Sequence, residues 1–142
     1  MINFFDSSAF VKRYLAEPGS EVVRAALRKP HVAVSRLVQA EVPAALARAQ
    51  RRGMLTTSQR DELFARLEDD LRELTIVELR TATLALVPEL VVRHPLRAYD
   101  AVQLACAVTL RKKRLAVTFW AADANLCEAA EAEGLRVAAF SA

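Results

Sequence analysis

Short runs of β-branched and aromatic residues recur along this chain, separated by longer segments with helical periodicity. That alternation restricts the fold more than any other feature of the sequence. "INFF" at 2–5, "HVAV" at 31–34, "LTIVEL" at 74–79, "RLAVTFWA" at 114–121 and "RVAAF" at 136–140 read as strands. The helical patterns begin with 8–17, closed by Pro18-Gly19, and a short segment from Ser20 to about 28. A long helix capped by Ser35 runs to the left-handed turn of Gly53, and another covers about 57–73. Helices are also predicted over about 80–93 with an interruption at Pro88, through "LRAYDAVQLACAV" at 96–108, and over "ANLCEAAEAEG", ended by Gly134. Apolar strands alternating with helices indicate a parallel sheet covered on both faces. The predicted class is therefore α/β, three α/β/α layers around a central parallel sheet, with 1–142 as a single domain.

The helix at 96–108 raises a question of charge. Its residues after Tyr99 are nearly all small or apolar, yet Asp100 stands near its start. Burying an unpaired carboxylate costs several kcal/mol. In an open parallel sheet, ligands bind beyond the carboxyl ends of the strands, near the point where strand order reverses. Three further acids map to that edge. Asp6 follows the first strand, Asp123 follows the fourth, and Glu41 is expected about two turns into the helix after the second strand, on its apolar face. Each acid has an ordinary structural alternative. Asp6 and Asp123 could cap helices, Asp100 could complement a helix dipole, and Glu41 could pair with Arg36. A single shared cause is more economical: four converging carboxylates repel one another, and a divalent cation relieves that repulsion. All-carboxylate ligation favours Mg²⁺ or Mn²⁺ over zinc.

The remaining composition narrows the setting. No apolar run approaches the roughly 20 residues of a membrane span, and the first residues lack a signal-peptide pattern, so a cytoplasmic protein without membrane partners is expected. Cys106 and Cys127 lack motif spacing and read as core residues in a reducing compartment; His31 and His94 are equally unsupported as ligands. A net charge of +3 permits a polyanionic partner. The run "RKKR" at 111–114 is expected on the edge opposite the acids, as a solvated connection. Arg36 and Arg97, on the acid side, are the better candidates for phosphate contact, with Lys12 and Arg13 behind them. Trp120 is expected in the core.

The segments "FFDSSAFVKRYLAEPGS", "VSRLVQAEVPAALARAQRRG", "HPLRAYDAVQLACA" and "FWAADANL" resemble, in order and spacing, those of PIN-domain ribonucleases, specifically the VapC-type toxins of toxin–antitoxin pairs. The resemblance implies a five-stranded parallel sheet and Asp6, Glu41, Asp100 and Asp123 as a catalytic acidic quartet. It implies Asp6, Asp100 and Asp123 as ligands to Mg²⁺ or Mn²⁺, with Ser7, Ser8 and Ser35 as hydroxyl neighbours and Ser7 taking part in substrate binding. It further implies hydrolysis of RNA, a homodimer and a cognate antitoxin of the VapB type. Two residues depart from the pattern. Ala121 stands where the family often has Thr or Ser, and Pro43 removes an amide from the helix of Glu41, predicting a kink. Two other readings compete. One is a Mg²⁺-dependent phosphohydrolase with Asp6 as nucleophile, although Ser8 occupies the place where that chemistry usually has a second Asp. The other is a non-catalytic binding module whose acids are helix caps.

Overall fold

The computed structural model describes residues 1–140. Its strands are β1 (Ile2–Phe5), β2 (Val32–Ser35), β3 (Thr75–Val77), β4 (Val117–Trp120) and β5 (Arg136–Val137). They form one five-stranded sheet in the order β3-β2-β1-β4-β5, and every neighbouring pair is parallel. The chain starts in the middle, builds outward through β2 and β3, then crosses to β4 and β5. Strand order thus reverses between β1 and β4.

Alternation along the central strands divides the core into two layers. Phe4 stacks on Phe119 with ring centroids 5.7 Å apart on one face. Phe5 stacks on Trp120 at 5.0 Å on the other. Neighbouring residues of a strand point to opposite faces, so each central strand needs apolar side chains at successive positions, and β2 and β4 are buried throughout. The Phe4 face is covered by α6 (Val87–Arg93), α7 (Ala98–Lys112) and α8 (Ala124–Ala132), with α5 (Thr81–Leu84) packed against α7. The Phe5 face is covered by α1 (Ser7–Phe10), α2 (Ser20–Leu27), α3 (Val38–Arg51) and α4 (Thr57–Glu73). The three-layer expectation holds, as does the placing of Trp120 in the core, where its Nε1 donates to Asn3 Oδ1 at 3.0 Å. Cys106 is buried and Cys127 half-buried. Among the described residues, no helix is long and apolar enough to cross a membrane.

Several boundaries differ from expectation for identifiable reasons. The helix expected over 8–17 is only Ser7–Phe10, continued by a 3₁₀ turn at Val11–Arg13. Tertiary anchors override its periodicity: Tyr14 reaches Asp70 on α4, and the Ser20 hydroxyl donates to the Leu15 carbonyl. Ser35 does not cap α3. It pairs with Val77 in the sheet, and its Oγ accepts the Leu37 amide at 3.0 Å, so α3 begins at Val38. Glu41 consequently lies in the first turn of α3, not two turns in. Pro43 lies inside α3, which runs unbroken to Arg51. The expected helix over 80–93 is split into α5 and α6 because Pro88 takes a place in the first turn of α6, where its missing N–H costs nothing. The strand expected at 31–34 starts one residue later, since His31 has a left-handed φ of 62°. The strand of 114–121 shrinks to Val117–Trp120, with Arg114 also left-handed. The edge strands β3 and β5 are shorter than their apolar runs, each having one sheet neighbour.

Candidate active site

All four predicted acids lie at helix N-termini on the carboxyl edge of the sheet, around the point where strand order reverses. Parallel strands each followed by a helix point several N-termini at one edge, and the partial positive charge there favours carboxylates. Asp6 directly follows β1, and its amide donates to the Trp120 carbonyl of β4 at 3.0 Å. Its Oδ1 caps α1 by accepting the Ala9 amide at 3.0 Å. Asp123 caps α8 by accepting the Leu126 amide at 2.9 Å. Asp100 lies in the first turn of α7 and Glu41 in the first turn of α3.

Three uncharged side chains organise this edge. The Ser8 hydroxyl donates to Asp6 Oδ1 at 2.7 Å and accepts the Ala122 amide at 2.9 Å. One hydroxyl therefore ties the loop after β1 to the loop after β4. The Ser7 hydroxyl donates to Glu41 Oε1 at 2.7 Å. Gln103 Nε2 donates to the same Glu41 oxygen at 3.0 Å and to Ser7 Oγ at 2.9 Å. Gln103 is buried, and its Oε1 has no partner. Sequence reading missed Gln103, although a signal was present. It is a polar residue in an apolar helical run, three positions after Asp100 and hence on the same face.

The electrostatics link the acids. Asp6 is 3% exposed. Its carboxyl is pushed up to about 7, chiefly by burial and further by Asp100, against the lowering effect of its Ser8 and backbone hydrogen bonds. The Asp100 carboxyl is raised by burial, then by Asp123 and Glu41, with Arg97 opposing. Asp100 thus feels each of the other three, although they arise from separate parts of the chain. Cap formation accounts for Asp6 and Asp123 but not for Glu41 or Asp100.

Among the described residues, no three His, Cys, Asp or Glu side chains close on one point tightly enough to cage an ion by themselves. The donor chemistry nonetheless suits a hard cation. Mg²⁺ commonly takes only one or two protein carboxylates and keeps several waters. Here Asp6 and Asp100, both held up in pKa, lack a cationic partner among the salt bridges of the described residues.

The predicted phosphate contacts fall in different places. Arg36 does not pair with Glu41. It is engaged by Glu78, with Nε 3.0 Å from Oε2, and its Nη1 donates to Gln39 Oε1. Arg97 is exposed beside Asp100. Lys12 is buried against Glu17 and Arg13 is bound to Asp70, which removes both from the acid edge's free cations. Arg48, which sequence reading passed over, lines a cleft of about 390 Å³ with Ser8, Lys12 and Ala122. It also lines one of about 280 Å³ with Glu41 and Tyr99. Arg48 lies seven residues after Glu41, two turns along the same helix face. The more capacious cavity, of about 520 Å³, lies at the other end of the strands and contains none of the acids.

The sequence matches the family model described as the PIN domain over residues 4–132. It is 38% identical over 136 residues to Ribonuclease VapC45 of Mycobacterium tuberculosis (strain CDC 1551 / Oshkosh), covering 95% of this chain and 93% of that protein. Its fold is similar to that of M. tuberculosis VapC20, a sarcin–ricin loop cleaving toxin, with TM-score 0.61 and 20% identity over 94% of this chain and 95% of that one. It is also similar to VapBC-5 of M. tuberculosis, a member of the VapBC family of toxin–antitoxin systems. There the TM-score is 0.62 and the identity 18%, over 99% of this chain and 98% of that one.

Proposed function

The chain belongs to the PIN-domain family, and from that premise we propose that it is a metal-dependent endoribonuclease, the toxin of a toxin–antitoxin pair. It hydrolyses RNA phosphodiester bonds with Mg²⁺ or Mn²⁺, works in the cytoplasm as a homodimer, and is neutralised by a cognate VapB-like antitoxin. One observation carries the catalytic part: Asp6, Glu41, Asp100 and Asp123 all stand at helix N-termini on the carboxyl edge of the sheet, where burial first, and then Asp123 and Glu41, raise the Asp100 carboxyl, and Asp100 adds to the burial that raises Asp6. The 38% identity to a ribonuclease supports the reaction class, and the likeness in fold to VapBC-5, a member of a toxin–antitoxin family, supports the antitoxin. Apolar side chains left exposed on α5 and α6, among them Leu84, Val91 and Val92, supply a surface that such a partner or a second copy could cover.

Asp6 and Asp100 would hold the cation, with Asp123 completing the set. When bound, the ion supplies Lewis-acid activation of water and neutralises charge developing on the phosphate. The protein's own contribution is placement. Ser8 fixes Asp6 to the β4–α8 loop, while Ser7 and Gln103 immobilise one oxygen of Glu41 and leave the other to accept a proton from the attacking water. Arg97 and Arg48 are placed to meet RNA phosphates, and Arg36 joins them only by leaving Glu78. Attack by water, in place of the ribose 2′-hydroxyl, leaves 5′-phosphate and 3′-hydroxyl ends. The test is cleavage of RNA by the purified chain with Mn²⁺, with chelator, and with Asp100→Ala. Metal-dependent cleavage that the variant loses supports the reading. Cleavage that persists in chelator, or in the variant, overturns it.

A further inference from the structure

The amino-terminal edge of the sheet carries a second charged feature that the acid site leaves unused. The cavity of about 520 Å³ lies between the end of α7, the start of β4 and the turn from α8 into β5. Arg111, Arg114 and Arg136 line it, with Leu115 and Val117 among its apolar walls, and no carboxylate contributes. Lys112 and Lys113 adjoin it, exposed like the arginines. Among the described residues, none of these five cations forms a salt bridge, whereas Arg13, Arg36, Arg60, Arg72 and Arg93 each have a carboxylate partner. Glu133, next to the lining, is committed to Arg93 and His94.

This charge is also seated. Gly134 has a left-handed φ of +86°, and a Cβ added there would lie 2.7 Å from Arg111 Nη2. The absence of a side chain at Gly134 is what lets the Arg111 guanidinium lie against the turn. The C-terminus of α7 contributes about half a negative charge, well short of offsetting five positive side chains. Guanidinium groups present paired donors that match phosphate oxygens. Arg136 starts β5, an edge strand, so the cavity opens on the rim of the sheet and not beneath a helical layer. β4 has four residues, which separates the two edges by roughly 13 Å, the rise of about four stacked nucleotides.

We propose that this cavity is a backbone-phosphate site that grips RNA away from the acids, so that a substrate longer than a few nucleotides touches both edges of the sheet. The proposal rests on the reading of the chain as an RNA-acting protein, and its test keeps the two apart by measuring binding without turnover. A fluorescent RNA hairpin is titrated with the chain in chelator at 50–200 mM salt, which the principle of counterion release makes informative. The variants carry Arg114→Gly with Arg136→Ala, or Arg114→Lys with Arg136→Lys. Glycine suits the left-handed φ of 62° at position 114, and a thermal melt verifies that each variant folds. The neutral pair is expected to bind several-fold more weakly at 100 mM salt and to lower the salt slope by about 1.5, two contacts at roughly 0.7–0.9 each. The lysine pair is expected to keep the slope. A neutral pair with the parent's affinity and slope overturns the site, as does a lysine pair that loses as much as the neutral one. A parent chain that binds RNA but never cleaves it with Mn²⁺ defeats the proposed activity and leaves this measurement intact.

Discussion

Asp6 and Asp70 are both carboxylates drawn in from the surface, and the molecule treats them in opposite ways. Asp70, on α4, accepts Arg13 Nε at 2.6 Å, Arg13 Nη2 at 2.9 Å and the Tyr14 hydroxyl at 2.6 Å. Burial works against its charge, but these donors outweigh burial and hold its pKa below the usual value. Asp6 accepts the Ser8 hydroxyl and backbone amides, lies near another acid, and is pushed up to about 7, chiefly by burial. The first carboxylate is satisfied within the chain and fastens α4 to the turn after α1. The second is left in electrostatic deficit, which a cation from solution would remove. On the proposed reading, pairing of the one and isolation of the other separate a structural role from a functional one.

Substitution should break that comparison most sharply in activity. Asp6→Asn and Asp100→Asn are each expected to lower RNA cleavage well over 100-fold, beyond what loss of an outer partner of a metal site costs. Asp70→Asn should stay within a few-fold of the parent at a temperature where it is folded. Equal losses in Asp6→Asn and Asp70→Asn would erase the distinction, and a gel assay reads both.

Stability against pH should separate the same two residues. The Asp6 carboxyl is raised from 3.8 to about 7 in the folded chain. The folded state therefore holds its proton between those values while the unfolded state has lost it, and metal-free stability falls as pH rises through that window. The full effect is on the order of 4 kcal/mol, and Asp6→Asn should abolish it. Only the ionised carboxylate binds metal, so stabilisation by Mn²⁺ should grow over the same range. Asp70 has the opposite sign: its contribution is present above the ordinary carboxylate range and is lost as pH falls through its lowered pKa. Asp70→Asn should cost about 1–3 kcal/mol at pH 7. Denaturant melts from about pH 2 to 8 measure all of these slopes, the Asp6 fall above the ordinary carboxylate range and the Asp70 loss below it.

Smaller effects sharpen the picture. Gln103→Leu preserves volume and removes the Nε2 donor to Glu41, so a roughly 10–100-fold loss of cleavage is expected with little change in melting temperature. A Gln103→Leu protein of parental activity would show that Ser7 alone suffices to place Glu41. Arg36→Ala breaks an exposed pair with Glu78 and should leave the melting temperature nearly unchanged, as a thermal melt would show.

What could be read in advance follows from where the information lies. Strand–helix alternation is local, so the layers and the parallel sheet were legible. The four acids were legible because each directly follows a strand or begins a helix on the carboxyl edge. Ser35 was misjudged because its sheet pairing with Val77 depends on a residue 42 positions away, and that error displaced Glu41 by a turn. Arg36 was likewise unreadable, since its partner Glu78 lies 42 residues on. The helix of 8–17 has a good period, but Tyr14 answers to Asp70 and not to its own helix. Gln103 could have been found by asking why a polar side chain interrupts an apolar helical run.

The central claim is that Asp6 and Asp100 share one hard cation. Crystals grown with Mn²⁺ above pH 7 and measured at the manganese absorption edge address it directly. A single anomalous peak about 2.1 Å from carboxylate oxygens of both residues is the expected result. Manganese sites that leave Asp6 and Asp100 without a common ion would contradict it.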